Sequence, residues 1–419
     1  MKKNVIIIFI ASILLLFSNC GSHEENLSEN LINKEDTPQP EVPSQTEAVF
    51  NPIKLSEQER VIVNKQTEFA VTVFDKILDK DKGDNFVISP LSLEYSLCML
   101  ANATDVEGQG SILNKLQYDD MSDLNEFYKH IATDLVNVDP VNVDFVCANS
   151  IWFNNDLGIK IDDYYLNVAK SVFQSDLTYA SFLNAPIDKL VNEWAKTKTN
   201  GLIDNILNEK HRFASFILTN ALYFKAPWTN KFQKDRTNKE NFEDAGLVEM
   251  MHISTNADLY QTDNAVGVAL PYGNSTFEFV VCVPNEKNDI QQAISQISVS
   301  NSSESAIDLS LPKFMFDTEN EIGDILKTCG IPIKNMVMEH ILVNGSVTTS
   351  MDINIKQKCV VQVDEEGTEA AAVTTVMDAT LLPGNDCFRL KVDKPFGFFI
   401  REKSSGIILF MGAVFDPNK

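Results

Sequence analysis

The sequence predicts an α+β fold, because helical and strand-like patterns concentrate in different parts of the chain. In the first half, apolar residues recur at helical spacing over 56–78 and 187–203. In the second half, apolar runs are joined by short turns such as Gly273-Asn274 and Ser404-Ser405-Gly406. Apolar residues make up 44% of the chain, which is enough for a substantial core.

Local patterns predict the elements in order. After the helix at 56–78, the segment NFVISPLSLEYSLCML reads as a short strand followed by an apolar helix. Ser89 can cap this helix with its hydroxyl, and Pro90 suits a first helical turn. The segment 187–203 predicts a further helix, which ends near Asn200-Gly201. Strands are predicted at VCANSIWF, FILTNALYFKAPW, AIDLSLPKFMFD and CVVQVDEEG, and hairpins at VGVALPYGNSTFEFVVCVPNE and PFGFFIREKSSGIILFMGAVFDP.

Charge and missing motifs exclude several classes of function. The formal net charge is -24, and no basic run follows residue 3, so nucleic acid and heparin are not expected partners. The sequence contains no G-x-S-x-G, no H-E-x-x-H and no phosphate-binding glycine loop. The five histidines are scattered and no cysteines form a C-x-x-C pair, so we expect no metal, no cofactor and no enzymatic activity.

The N-terminus resembles a bacterial lipoprotein signal. Lys2 and Lys3 precede a short apolar run, 5–17, and Cys20 follows. This predicts a signal peptide over 1–19, a lipidated Cys20, and a disordered polar tether over 20–50. The alternative is a plain signal peptide with an incidental cysteine. We expect export and lipid anchoring to the outer membrane at the cell surface, with a periplasmic or secreted protein as alternatives.

The segment VDEEGTEAAAVTTVMDATLLPGNDCF combines an acidic start, small residues and turn residues. Thr368, Ala370, Ala372, Thr374 and Val376 share one face at the strand period of two, and that face is small and mostly apolar. Asp378 continues the same face and is charged.

This segment and several others resemble the serpins, the serine protease inhibitor superfamily. NFVISPLS, NALYFKAPW, KPFGFFIRE and EEGTEAAA are similar to serpin segments, in the family's order and over essentially 53–419. The resemblance implies one serpin domain, 51–419. Its fold would pack helices on a large central mixed β-sheet with smaller sheets, and an exposed reactive-centre loop would occupy about 365–390.

The resemblance also implies a mechanism. A serpin is an irreversible suicide-substrate inhibitor that a target serine protease cleaves, forming a covalent acyl complex, after which the loop inserts into the central sheet. A strand that enters between two existing strands must be slim, as the small face over 368–376 is. Asp378 continues that face and does not fit, so either it lies at the solvent end of the sheet or insertion stops short of it. A cysteine protease is an alternative target. A monomer is expected, touching the membrane only through its lipid anchor. The alternative function is a non-inhibitory serpin that acts as a binding or scaffold protein.

Individual positions carry over from the family. The reactive bond is predicted at Leu381-Leu382, with Thr380, Met377 and Val376 as alternative reactive residues. No Lys or Arg lies between Gly367 and Phe388, so chymotrypsin-like or elastase-like proteases are favoured over trypsin-like ones. The implied hinge is Glu365, Glu366, Gly367, Thr368, Glu369, Ala370, Ala371 and Ala372. The implied shutter, a cluster beneath the central sheet, is Ser89, Ser92, Asn220 and Gln357, and the implied breach residue, where insertion starts, is Trp228.

Overall fold

Capping and turn residues determine where the helices begin and end. The computed structural model describes residues 51–80, 83–207, 213–286, 289–331, 336–348, 353–368 and 387–419. Ser89 caps its helix as predicted, accepting a hydrogen bond from the Ser92 amide at 3.2 Å. The helices are α1 (Glu57–Lys80), α2 (Pro90–Ala101), α3 (Val106–Lys115), α4 (Met121–Asn137), α5 (Asp163–Ser171), α6 (Ile187–Lys198), α7 (Ile290–Val299) and α8 (Ile322–Thr328).

The predicted strands and hairpins are present, except that one predicted strand is divided in two, and the structure adds several strands that the sequence did not predict. Those of the first half are β1 (Phe86–Ile88), β2 (Asp144–Asn154), β3 (Ile159–Ile161), β4 (Asp176–Ala180) and β5 (Phe216–Pro227). Those that follow are β6 (Asn238–Phe242), β7 (Gly246–Gln261), β8 (Ala265–Tyr272), β9 (Phe277–Pro284), β10 (Ser303–Pro312), β11 (Phe314–Glu321), β12 (Met338–Val343), β13 (Ser346–Thr348), β14 (Ile353–Val363), β15 (Gly367–Thr368), β16 (Phe388–Lys391), β17 (Phe396–Glu402) and β18 (Ile408–Val414).

A six-stranded sheet, called here the central sheet, has the order β11-β14-β15-β5-β2-β4. It is mixed, because β2 runs parallel to β4 and β14 runs parallel to β5, while the other pairs are antiparallel. Its buried strands are the continuous apolar runs of the sequence, of which β5 is buried over nearly its whole length. Helix α2, buried at every position, packs against β5 and β14.

The second large sheet has the order β1-β18-β17-β9-β8-β7-β10-β16, with β6 paired to β7. A small sheet, β13-β12-β3, completes the described strands. Apolar side chains of both large sheets and of the helices form one extensive core cluster. These helices and sheets confirm the predicted α+β class.

Two sequence expectations needed correction. The stretch AIDLSLPKFMFD was predicted as one strand, but it breaks at Lys313 into β10 and β11, which belong to different sheets. Pro312 cannot donate a backbone hydrogen bond, and the Lys313 amide turns to the Glu249 carbonyl oxygen at 2.9 Å. The helix predicted to end near Asn200-Gly201 ends slightly earlier, at Lys198, and these two residues form the turn that follows, with positive φ angles of 51° and 90°.

The division of the chain at residues 19 and 50 stays a prediction. Residues 1–50 lie outside the described residues, which all belong to one compact unit, Ala48–Lys419. Across the part of the chain that is described, no helix has both the length and the apolar content that a membrane crossing requires.

Candidate functional site at the opening of the central sheet

The start of the predicted hinge lies inside the central sheet. Gly367 and Thr368 form the two-residue strand β15, which lies between β14 and β5 and runs antiparallel to both. Thr368 faces Val363 of β14 on one side and Ala226 of β5 on the other. The described part of the hinge therefore ends between two strands and not at a sheet edge.

Glycine is required at the first of these positions. Gly367 has φ +155°, and a Cβ built on it would lie 2.1 Å from the carbonyl oxygen of Ala226. No side chain can occupy that space unless β5 moves. The glycine of the Glu-Glu-Gly-Thr sequence is thus explained by the close approach of the hinge to β5.

Thr368 is buried, and its hydroxyl contacts the hydroxyl of Tyr272. Tyr272 stacks on Trp228, with ring centroids 4.4 Å apart and an interplanar angle of 9°. The Trp228 indole N–H donates to the Asp364 carbonyl oxygen at 2.8 Å, and the Trp228 backbone N–H donates to the Glu366 carbonyl oxygen at 2.9 Å. The structure therefore places the predicted breach tryptophan directly against the hinge.

Two glutamates of the hinge bond to neighbouring lysine and threonine side chains. Glu365 accepts hydrogen bonds from Lys313 at 3.0 Å and from Thr237 at 2.9 Å. Glu366 forms ion pairs with Lys231 at 2.8 Å and Lys234 at 3.0 Å. Lys234 is largely exposed, so its pair contributes little, whereas Lys231 and Lys313 are better shielded from water.

The same contacts shift the pKa of both carboxyls. Burial alone would raise the pKa of Glu365, but hydrogen bonds from its own backbone, Lys313 and Thr237 outweigh burial and lower it. The pKa of Glu366 is lowered mainly by hydrogen bonds from Lys231 and Lys234. Because the folded-state pKa is depressed, this stabilisation is present above the ordinary glutamate pKa and is lost as the pH falls through the lowered one.

Farther down the sheet, three predicted shutter residues meet. The Gln357 side chain accepts from the Ser89 amide at 3.0 Å and donates to the Ser89 carbonyl oxygen at 2.9 Å. The Ser89 hydroxyl caps α2 by accepting from the Ser92 amide. Gln357 is 3% exposed, so this pair of hydrogen bonds fastens β14 to the beginning of α2 in a dry environment.

The fourth predicted shutter residue bonds elsewhere. Asn220 donates to the side-chain oxygen of Asn149 on β2 and contacts the Cys147 sulfur at 3.6 Å. Its own oxygen, Oδ1, is buried and has no hydrogen-bond partner among the described residues. A buried acceptor without a donor is unfavourable by about 1–3 kcal/mol. Asn220 is thus the shutter position with unused hydrogen-bonding capacity.

Direct pairing of β14 with β5 is confined to one end of the two strands. Ile353 to Lys356 pair with Phe216 to Thr219. Above these rows no direct β14–β5 pair follows, until β15 separates Val363 from Ala226. We call the rows between, 357–362 of β14 and 220–225 of β5, the central opening. Gln357 and Asn220 form its lowest row.

Several residues of this site were not predicted from the sequence. Tyr272, Asn149, Lys231 and Lys313 contact the hinge or the shutter, but each lies far along the chain from its partner. Asn149 carried a weak signal, since it is a polar residue within an apolar strand. Lys313 also carried one, since it follows a proline in a strand-like run.

The remaining predicted residues lie outside the described residues. These are Glu369, Ala370, Ala371, Ala372, Val376, Met377, Thr380, Leu381 and Leu382, together with Cys20. The chain is described again from Cys387, and β16 then pairs in parallel with β10 of the second large sheet. The described chain therefore stops at Thr368 inside the central sheet and resumes at Cys387, next to an edge strand of the other sheet. Within the described ranges, no three His, Cys, Asp or Glu side chains are arranged to hold a metal ion.

Comparison with known proteins identifies the family. The model of the serpin (serine protease inhibitor) family matches residues 64–417, so the chain belongs to the serpins. It is 28% identical over 362 residues to Iripin-3 of Ixodes ricinus, covering 81% of this chain and 90% of that protein. Antichymotrypsin-2 of Bombyx mori is 27% identical over 381 residues, covering 85% and 98%. The thermophilic serpin Tengpin in its native state is similar with TM-score 0.77 and 26% identity, covering 88% and 97%.

We expect Gln357→Ala to lower the free energy of unfolding of the native protein by about 2 kcal/mol. The change leaves the buried amide of Ser89 without the Gln357 acceptor and removes one of two hydrogen bonds to the Ser89 carbonyl oxygen, which keeps the one from the Leu93 amide. Urea unfolding followed by Trp fluorescence measures the difference. Gln362→Ala is the control on the same strand, since Gln362 is half-buried and makes one long hydrogen bond, to Asp364 at 3.3 Å. Equal effects of the two changes would contradict a special role for Gln357.

Proposed function

We propose that the protein is an irreversible suicide-substrate inhibitor of serine proteases of chymotrypsin-like or elastase-like specificity. Membership of the serpin family supports protease inhibition in general. The observation that carries the proposal is the position of Gly367 and Thr368 at the top of the central opening, between β14 and β5. The loop continues a strand that has already begun, and beyond Thr374 it must separate the rows where β14 and β5 pair directly.

The registers of the sheet support this continuation. At the closed end Lys356 faces Thr219, and at the hinge Val363 and Ala226 lie on either side of Thr368. The offset between β14 and β5 partners is the same at both ends, so an inserted strand meets both neighbours without a slip. Counting equally along all three strands from Thr368 brings Thr374 between Gln357 and Asn220.

The side chains of the inserted strand also suit the two faces of the sheet. The inward-facing residues on either side of the central opening, such as Val361, Cys359 and Leu222, are buried. In the continued register, residues 370, 372, 374 and 376 point to the same side. These are Ala370, Ala372, Thr374 and Val376, small enough to enter without displacing the core.

The register also bears on Asp378, which the sequence left undecided. In an inserted strand it would face Phe216 and Ile353, the first residues of β5 and β14. Phe216 is fully buried. A carboxylate at that position is unfavourable, and we infer that stable insertion extends to about Met377, four residues before the proposed reactive residue Leu381.

The proposed chemistry is acyl transfer to the protease. The protease serine attacks the carbonyl carbon of Leu381, the Leu381-Leu382 amide bond breaks, and Leu382 leaves with a protonated amine. The ester formed at Leu381 keeps the protease attached while the loop inserts. A leucine at this position suits a hydrophobic specificity pocket, and one relative of the chain bears the name antichymotrypsin.

We expect incubation with chymotrypsin or with pancreatic elastase to produce a covalent complex stable on a denaturing gel. Mass spectrometry of the released C-terminal peptide identifies the bond that was cut. Thr368→Arg is expected to abolish the complex while cleavage continues, because Thr368 is buried against Tyr272 and an arginine cannot enter there. Glu369→Arg is the control, since alternate residues of a strand face opposite sides.

Cleavage without any covalent band, across several proteases of both classes, would overturn the inhibitor proposal. The protein would then act as a binding serpin whose loop is only a substrate. A complex formed equally well by Thr368→Arg would contradict the insertion mechanism.

We expect Thr374→Val to raise the number of inhibitor molecules consumed per protease molecule inhibited by roughly twofold to tenfold. In the proposed inserted state the Thr374 hydroxyl donates to Asn220 Oδ1, which has no partner among the described residues of the native fold. Valine has the same shape but no donor. Thr375→Val, on the opposite face, is the control. An equal effect of the two changes, or an undiminished effect of Thr374→Val in an Asn220→Ala background, would contradict this pairing.

We also propose that the protein is exported and anchored through a lipid on Cys20 to the outer membrane, facing the cell surface. The charged start, the apolar run over 5–17 and the position of Cys20 support this. We expect Cys20→Ala to move the protein from the membrane fraction to the soluble fraction of the producing cells or their medium. Unchanged fractionation of Cys20→Ala would contradict lipid anchoring, and protease shaving of intact cells distinguishes surface from periplasmic exposure.

A further inference from the structure

A buried carboxyl group lies between three helices, away from the hinge and from the reactive loop. Glu94 of α2, Gln66 of α1 and Tyr128 of α4 are each at most 1% exposed. One oxygen of Glu94, Oε2, accepts a hydrogen bond from the Gln66 amide nitrogen at 3.0 Å and another from the Tyr128 hydroxyl. We call these three residues the Glu94 cluster.

No positive charge balances this carboxyl group. Among the described residues, Glu94 forms no ion pair with Lys, Arg or His, and its hydrogen-bond partners are both neutral. The titratable groups that face it are Tyr128 from α4, Tyr118 from the segment after α3, and Cys98 one turn along α2. Burial raises the pKa of each of these groups, so they stay uncharged near neutral pH. The packed strands β5, β14 and β18 bring no charged contact to Glu94 among the described residues.

Two oxygen atoms of the cluster lack partners. The second carboxyl oxygen of Glu94, Oε1, and the amide oxygen of Gln66 are buried and have no hydrogen-bond partner among the described residues. An ionised carboxylate has only acceptors, whereas a protonated one has a donor. A proton on Glu94 removes an uncompensated buried charge and supplies a donor where the cluster has two unused acceptors.

Burial and hydrogen bonding have opposite effects on the pKa of Glu94. Burial raises the pKa of Glu94 to about 7, although the hydrogen bonds from Tyr128 and Gln66 favour the charged form and oppose that rise. The free-energy penalty of an isolated buried charge therefore exceeds what two donors recover.

We propose that Glu94 is a proton-binding site of the native fold, occupied in mildly acidic solution and emptied as the pH rises above neutrality. Since the proton binds more tightly in the folded than in the unfolded chain, the stability it confers is fully present below about pH 4.5 and is lost as the pH rises through about 7. Ser89, the residue that caps helix α2, forms both hydrogen bonds to Gln357. The proton on Glu94 therefore acts on the same helix that is bonded to the shutter residue of β14.

The unfolding rate in urea tests this proposal. We expect the intact protein to unfold roughly tenfold faster at pH 7.5 than at pH 5.5, because the proton that stabilises the folded state is bound at pH 5.5 and released by pH 7.5. Each pKa unit between the folded and unfolded states corresponds to a tenfold change in the folding equilibrium constant. Glu94→Gln keeps the shape without the charge, and its unfolding rate is expected to lose most of this pH dependence. The remainder comes from His130, whose pKa is raised because burial, which lowers it, is outweighed by the hydrogen bonds and charges of Glu59 and Asp134. Glu107→Gln, at an exposed position of α3, is the control and is expected to keep the full dependence.

Two further measurements keep the proposal testable if Glu94→Gln does not fold. Infrared spectroscopy of the intact protein at pH 6 is expected to show the carbonyl band of a protonated carboxyl, which disappears at pH 9. Tyr128→Phe removes a donor to the charged form, so the midpoint of that titration is expected to move to higher pH. Absence of the band at pH 6, an unmoved midpoint in Tyr128→Phe, or an unchanged pH dependence in Glu94→Gln would each overturn the proposal.

Discussion

The structure depends on one constraint: β14 and β5 share a register but pair directly along only part of their length. Their closed end is Ile353–Lys356 against Phe216–Thr219, and the hinge strand β15 occupies the other end. Paired strands that diverge offer backbone groups on both sides to a strand that can enter between them. The hinge belongs to the chain itself, so the entering strand needs no encounter with a partner. Native pairing and further insertion are therefore alternative uses of the same two strands.

The contacts around this opening stabilise the native arrangement although β14 and β5 stay unpaired between them. At the top, the Trp228–Tyr272 stack and the ion pairs of Glu365 and Glu366 fix the first residues of the hinge. At the bottom, Gln357 fastens β14 to the capped start of α2. Asn220, in the same row, keeps an unused acceptor. In this row, the satisfied amide of Gln357 holds β14 in place, whereas the unsatisfied oxygen of Asn220 on β5 favours the arrival of a new hydrogen-bond donor.

Much of the fold was predictable from the sequence, because the signals are local. The Ser89 cap, the positive-φ turn after α6 and the hairpins all depend on neighbours in the chain. The hinge was recognised through family resemblance, and its glycine has a physical cause in the distance to Ala226. The break at Lys313, the Asn220–Asn149 pair and the burial of Glu94 were not predictable, since each depends on a strand or helix distant in sequence. The predicted reactive bond and lipidated cysteine lie outside the described residues and stay predictions.

The most direct test of the central claim compares the intact protein with the protein cut once in its loop. After cleavage between 376 and 382 by a catalytic amount of protease, both forms are heated and their unfolding is followed by circular dichroism. If the loop enters the central opening as a new strand, the cut form unfolds at a temperature tens of degrees higher than the intact form, or not at all below boiling. If the two forms unfold at the same temperature, or the cut form unfolds earlier, the opening does not receive the loop and the account is contradicted.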